Sequence, residues 1–92
     1  MSQAKFALGR IVATPGALKA LERAGQEPWR LLARHQSGDW GELSKEDQQE
    51  NELSVKEGFR ILSAYTLNTR VKLWIITEAD RSVTTLLLPE EY

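Results

Sequence analysis

The sequence contains no cysteine. Its absence excludes thiol nucleophiles, disulfide frameworks and Cys-ligated zinc together. Histidine is almost as scarce: His35 stands alone. No His/Asp/Glu spacing around it matches a known ligand set, so neither a metal nor another cofactor is read from the sequence. Apolar runs such as Leu86-Leu87-Leu88 fall far short of a bilayer's thickness. Met1-Ser2-Gln3-Ala4-Lys5-Phe6 lacks the apolar core of a secretory signal. A soluble cytoplasmic chain with no membrane association is expected, and the lack of thiols suits a reducing compartment.

What is present describes one ordinary globular unit. Ninety-two residues, 27% charged and 41% hydrophobic, form a single domain over residues 1–92 with a modest core. A net charge of −1 conceals a segregation. Residues 1–36 carry six Lys/Arg and two acids, residues 37–58 two Lys and seven acids, and residues 59–92 four of each. Lys19, Arg23, Arg30 and Arg34 therefore offer either a local basic face or the solvated sides of two amphipathic helices.

The chain is organised around Leu73 to Leu88, apolar and β-branched at both ends and polar between, as two strands joined by a tight turn read. Upstream, Phe6 to Ala13 is β-leaning, and Gly9 within it marks a bulge or a close approach. The segment is either an edge strand or an extended lead-in. Thr14-Pro15 is a helix start, with Ala17, Leu18, Ala20, Leu21 and Ala24 facing inward and Gly25 as the stop. Pro28 opens a second helix, in which Trp29, Leu32 and Ala33 follow the spacing of a sheet-facing stripe. Ser44-Lys45-Glu46-Asp47 caps a third helix ending at Gly58, almost wholly polar, with Leu53 and Val55 for packing. Strands are expected over Phe59–Thr66, Val71–Thr77 and Ser82–Leu88. The class is α+β: helices on one face of a C-terminal antiparallel three-stranded meander, with room for a fourth edge strand from the N-terminus.

Three stretches carry a resemblance. Arg10-Ile11-Val12-Ala13-Thr14-Pro15-Gly16-Ala17-Leu18 is the first, and Arg34-His35-Gln36-Ser37-Gly38-Asp39-Trp40-Gly41 the second. Trp74-Ile75-Ile76-Thr77-Glu78-Ala79-Asp80-Arg81-Ser82-Val83-Thr84-Thr85, with Leu87-Leu88-Pro89, is the third. Together they resemble a family of small bacterial "plasmid-related" proteins carried on plasmids and other mobile elements. The resemblance runs from about Gly9 to Tyr92 and departs at Leu67-Asn68-Thr69, where a Gly-containing turn is expected. It implies no activity. The architecture is also similar to small ribonuclease domains of the RelE, barnase, EndoU and colicin type, a likeness of fold that does not settle function.

The polar residues divide between competing readings. His35 is the one side chain that titrates near neutrality unperturbed. With Glu78 as a second proton carrier and Arg81 holding a pentavalent phosphate, it would make a metal-independent ribonuclease site, with RNA as substrate. Alternatively, His35 interacts with a helix C-terminus and bonds Asp39 or a carbonyl. Asp39 is a ligand anchor or closes an Asx-turn. Thr77, Asp80, Ser82 and Thr84 form either a binding tip or a polar hairpin connection. Trp29, Trp40 and Trp74 stack on bases or fill the core. Glu46, Glu50 and Glu57 lie on the acidic helix, as a recognition face, a nucleic-acid mimic for anti-restriction or anti-defence work, or a solvated surface. The preferred expectation is a cytoplasmic accessory protein of mobile elements that binds another protein.

Overall fold

The computed structural model describes residues 3–92; Met1 and Ser2, where the stretch read for a secretory signal begins, lie outside them. Strand β1 (Arg10–Ala13) leads into helices α1 (Pro15–Ala24), α2 (Pro28–Gln36) and α3 (Lys45–Glu57). Strands β2 (Ile61–Thr66), β3 (Lys72–Thr77) and β4 (Val83–Leu87) follow, and a 3₁₀ turn, η1, covers Pro89–Glu91. The punctuation of the sequence is used as expected. The Thr14 hydroxyl accepts from the Ala17 amide, Pro15 opens α1, and Gly25 ends it in the left-handed region. The Ser44 hydroxyl accepts from the Asp47 amide, and Gly58 ends α3 in the same way.

The fold is α+β, with strand order β1-β4-β3-β2. β2, β3 and β4 form the antiparallel meander. The fourth strand exists and runs parallel to β4, Arg10 opposite Val83 and Ala13 opposite Leu86. Parallel pairing needs a long crossover, which the helices and the first two meander strands provide. Gly9 adopts φ 67°, and a Cβ there would overlap the Arg81 and Ser82 carbonyls. The close-approach reading of this glycine therefore holds.

Register puts Ile61, Ser63, Tyr65, Leu73, Ile75, Thr77, Thr84 and Leu86 on one face, all of them buried. Ala17, Ala20 and Leu21 of α1 and Leu31 and Leu32 of α2 cover that face. Each fully buried Leu or Ile stabilises by about 1.5–3 kcal/mol relative to exposure. The stripe expected on α2 is corrected. Leu31, Leu32 and His35 are buried, whereas Ala33 and Trp29 are exposed, with the Arg30 guanidinium 4.8 Å above the Trp29 ring. At about 100° per residue, Trp29 lies roughly 110° from the centre of the buried stripe.

α3 departs from expectation in kind. Leu53 is exposed, while Asn51 and Ser54 are buried. The helix does not press an apolar stripe onto the sheet; it lies beside the outer edge of β2. The Asn51 side chain donates to the Leu62 carbonyl (2.6 Å) and accepts from the Leu62 amide (3.2 Å), replacing one rung of a missing strand. Two residues on, the Glu42 amide donates to the Ala64 carbonyl and the Ala64 amide to the Trp40 carbonyl. Gly41 fits between them at φ 75° only because it has no Cβ to meet the Ala64 carbonyl. An edge that would otherwise recruit another chain is thereby closed. Trp40, 3% exposed, anchors this loop. No helix among the described residues is long and apolar enough to cross a membrane.

Replacing Asn51 by Ala should cost about 2–3 kcal/mol, because it strands both an amide and a carbonyl at a buried edge. Urea unfolding measures this directly. A change below about 1 kcal/mol would mean that water satisfies Leu62 equally well.

Candidate functional site

His35 lies in the last turn of α2 with no exposed surface. Its Nδ1 is 2.6 Å from the Ser63 hydroxyl and its Nε2 is 2.9 Å from the Thr77 hydroxyl. Thr77 in turn meets Thr84 at 2.7 Å, and Thr84 donates to the Leu8 carbonyl at 2.7 Å. With the imidazole neutral, as its burial requires near pH 7, valence fixes every proton in this chain. A carbonyl only accepts, so the one Thr84 proton is spent on Leu8 and Thr77 must donate to Thr84. Thr77 then needs a donor, which is Nε2–H of His35, and Nδ1 accepts from Ser63. The imidazole is neutral, in a single tautomer, with both nitrogens used.

Burial alone pushes the His35 pKa down to about 4, because the charged form loses its hydration. The ring meets Phe6 edge-on at 5.1 Å and Trp40 at 6.1 Å between centroids. His35 is thus neither bonded to Asp39 nor open to a ligand in solution.

The residues grouped with it are placed elsewhere in the network. Arg81 adopts φ 61° in the β3–β4 turn. Its guanidinium donates to the carbonyls of Ser54 (2.8 Å), Phe59 (2.7 Å), Glu78 (3.1 Å) and Ala79 (3.2 Å). It clamps the turn to the end of α3. Glu78 pairs with Arg60 at 3.8 Å, not with Arg81. Among the described residues no hydrogen bond joins His35 to either. Asp39 accepts from Arg34 Nε at 2.6 Å and from the Gly41 amide; the Arg34 bond, chiefly, holds its carboxyl below the usual range. This is the Asx-turn geometry. Asp80 likewise accepts from the Ser82 hydroxyl and amide, which lowers its pKa. Asp39, Thr77, Asp80, Ser82 and Thr84 are all occupied by internal bonds.

The open concavity lies on the opposite face of the sheet. Leu62 and Trp74 share that face by register, α3 stands along one side, and Tyr92 packs against Trp74 at 5.8 Å. The resulting groove has a volume of about 430 Å³, and Asp47, Glu50, Asn51, Ser54 and Arg60 also line it. The α3 residues fall at i, i+3, i+4 and i+7, one face of the helix. Asn51 is committed to Leu62. Asp47 and Glu50 form no ion pair among the described residues. Arg60 is occupied: besides Glu78, it donates to the Tyr92 hydroxyl at 2.8 Å and lies 5.2 Å from that ring's centre. The groove is therefore aromatic at its base and negative along one rim.

Of the acidic-helix candidates, Glu50 lines the groove, and Glu46 and Glu57, exposed, sit on the same helical stripe at i−4 and i+7. Asp47, Leu62 and Tyr92 are additions that sequence reasoning did not assign to a site, whereas Trp74 was weighed for stacking on bases or for the core. The i, i+3 spacing of Asp47 and Glu50 was visible, but nothing local indicated which sheet face they would meet. Comparison with models of known protein families, with curated proteins and with solved structures gives no match to this chain.

The buried histidine has a measurable consequence. An imidazole with pKa about 4 when folded and about 6.5 when unfolded stabilises the fold fully above pH 6.5 and progressively less as pH falls. Between pH 7 and pH 4 this residue should remove about 3 kcal/mol of stability. Asp39 and Asp80, held low, add their own loss in the acid range, so the comparison is with His35→Gln. Denaturant titrations should show the gap between wild type and variant narrowing as pH falls; parallel curves would place the imidazole in contact with water.

Proposed function

We propose that this chain is a small protein-binding accessory module that receives a segment of a partner protein in the groove between α3 and the sheet. It would serve in an accessory role in mobile-element biology; the resemblance to plasmid-related proteins implies no activity and does not bear on the binding role. One observation carries the reading: the groove joins an aromatic base, Trp74 and Tyr92, to two carboxylates without an ion-pair partner among the described residues. The other polar clusters are spent on holding the fold. Protein interfaces favour just such aromatic surface framed by a polar rim.

The ribonuclease reading has no comparable support. It needs an accessible imidazole poised near neutral pH, whereas His35 is neutral and enclosed. Purified protein should leave single-stranded RNA intact in the presence of a chelator. Cleavage that His35→Ala abolishes, with the fold retained by circular dichroism, would reinstate it.

The binding reading is tested by placing a photo-crosslinking amino acid at Glu50 and, as a control, at Lys19 on α1. In cells expressing the protein from its own source, the position-50 version should form one discrete adduct with another protein. With the crosslinker kept at position 50, reversing Glu46 and Glu57 to Lys should remove that adduct while leaving the thermal midpoint within a few degrees, since exposed charges contribute little to stability. Identical adduct patterns at the two positions would end the proposal.

A further inference from the structure

Resting on the protein-binding reading, we infer that the groove is built for a single arginine side chain presented by the partner polypeptide. Charge complementarity selects a cation. Asp47 and Glu50, at the rim, form no ion pair among the described residues, and at i, i+3 on α3 their carboxylates are close enough to share one guest. Arg60, which also lines the groove, is paired with Glu78 and with the Tyr92 hydroxyl rather than with these carboxylates. The inner surface selects a flat, weakly hydrated cation over a compact one. Trp74 is half-buried and offers the best ring type for a cation to lie against, with Leu62 beside it. A guanidinium can stack on an indole and still direct its edge N–H groups to carboxylates, which an ammonium cannot do as well.

Guanidinium–ring contacts occur four times among the described residues, and two of them show the mode. Arg60 lies 5.2 Å from the centre of Tyr92, and Arg34 lies 4.6 Å from the centre of Tyr65 while donating to Asp39. The second of these combines ring, guanidinium and carboxylate, the same three parts that the groove would assemble with its guest.

The experiment is a two-dimensional NMR titration of the intact protein with the capped peptide Gly-Leu-Arg-Leu-Gly. Matched peptides carry lysine, or the neutral isostere citrulline, at the centre. The arginine peptide should shift the Trp74 indole N–H and the Asp47–Asn51 amides saturably. Citrulline should bind roughly tenfold more weakly and lysine a few-fold more weakly. Asp47→Asn with Glu50→Gln should reproduce the citrulline loss with the arginine peptide, and raising salt should weaken the wild-type interaction. The spectrum of the double variant reports its own folding, and both sites are exposed, so loss of structure is distinguishable from loss of binding. Equal binding of the arginine and citrulline peptides, or unchanged binding by the double variant, overturns the inference in favour of an apolar guest. Absence of any shift at Trp74 overturns it outright. If the crosslink from position 50 persists in either case, the protein-binding reading survives and only the arginine assignment falls.

Discussion

The structure depends on one buried line of hydrogen bonds: Ser63 to His35 to Thr77 to Thr84 to the Leu8 carbonyl. Its members come from β2, α2, β3, β4 and the segment before β1. Removing any one leaves a polar atom unpaired in the core, at a cost larger than the bond itself contributes. The line is satisfied from end to end with a single direction of donation, and it is what makes a histidine tolerable at zero exposure. An apolar replacement could fill the space, but it would not specify which strand face meets which helix. Around this line the aromatic rings of Phe6 and Trp40 close the space. Arg81 ties the β3–β4 turn to α3.

Much of this fold was legible because the chain punctuates its elements chemically. Thr14-Pro15, Gly25, Ser44 and Gly58 placed the ends of α1 and α3, and the limits of the three meander strands came within two residues, whereas β1 begins at Arg10, four residues past the expected Phe6. What was not legible has a common cause. Periodicity assumes that a helix buries apolar residues, yet α2 buries His35 and α3 buries Asn51 and Ser54. Those residues are inward because distant hydroxyls and a strand edge supply their bonds, and nothing in a local window announces such partners. Trp29 illustrates the converse: its spacing with Leu32 and Ala33 argued for the sheet-facing side, but the stripe containing His35 turned it outward.

The candidate site was half visible for the same reason. Glu46, Glu50 and Glu57 were readable as one acidic helix face, whereas the aromatic base they flank belongs to strands and to Tyr92. The polar turn that drew attention, Thr77 to Thr85, is instead structural on both counts. Thr77 and Thr84 continue the histidine line, and Asp80, Arg81 and Ser82 fold the connection upon itself. Density of polar residues signalled unusual structure here, and a cluster of internal bonds accounts for it.

The parallel pairing of β1 with β4 has a consequence for how the chain is assembled. Arg10 and Val83 are neighbours in space but lie near opposite ends of the described chain. Every fully buried strand partner of α1 and α2 in the core belongs to residues downstream of α3; Ala13 of β1 packs against it only partly buried. On the ribosome the two helices must therefore wait, apolar faces unshielded, until the meander has emerged. The last partner of β1 is among the final segments made. High contact order of this kind slows folding and lengthens exposure to wrong partners. The prolines and caps that set α1 early, and the basic residues spread over its outer side and that of α2, keep the waiting segment short, charged and soluble.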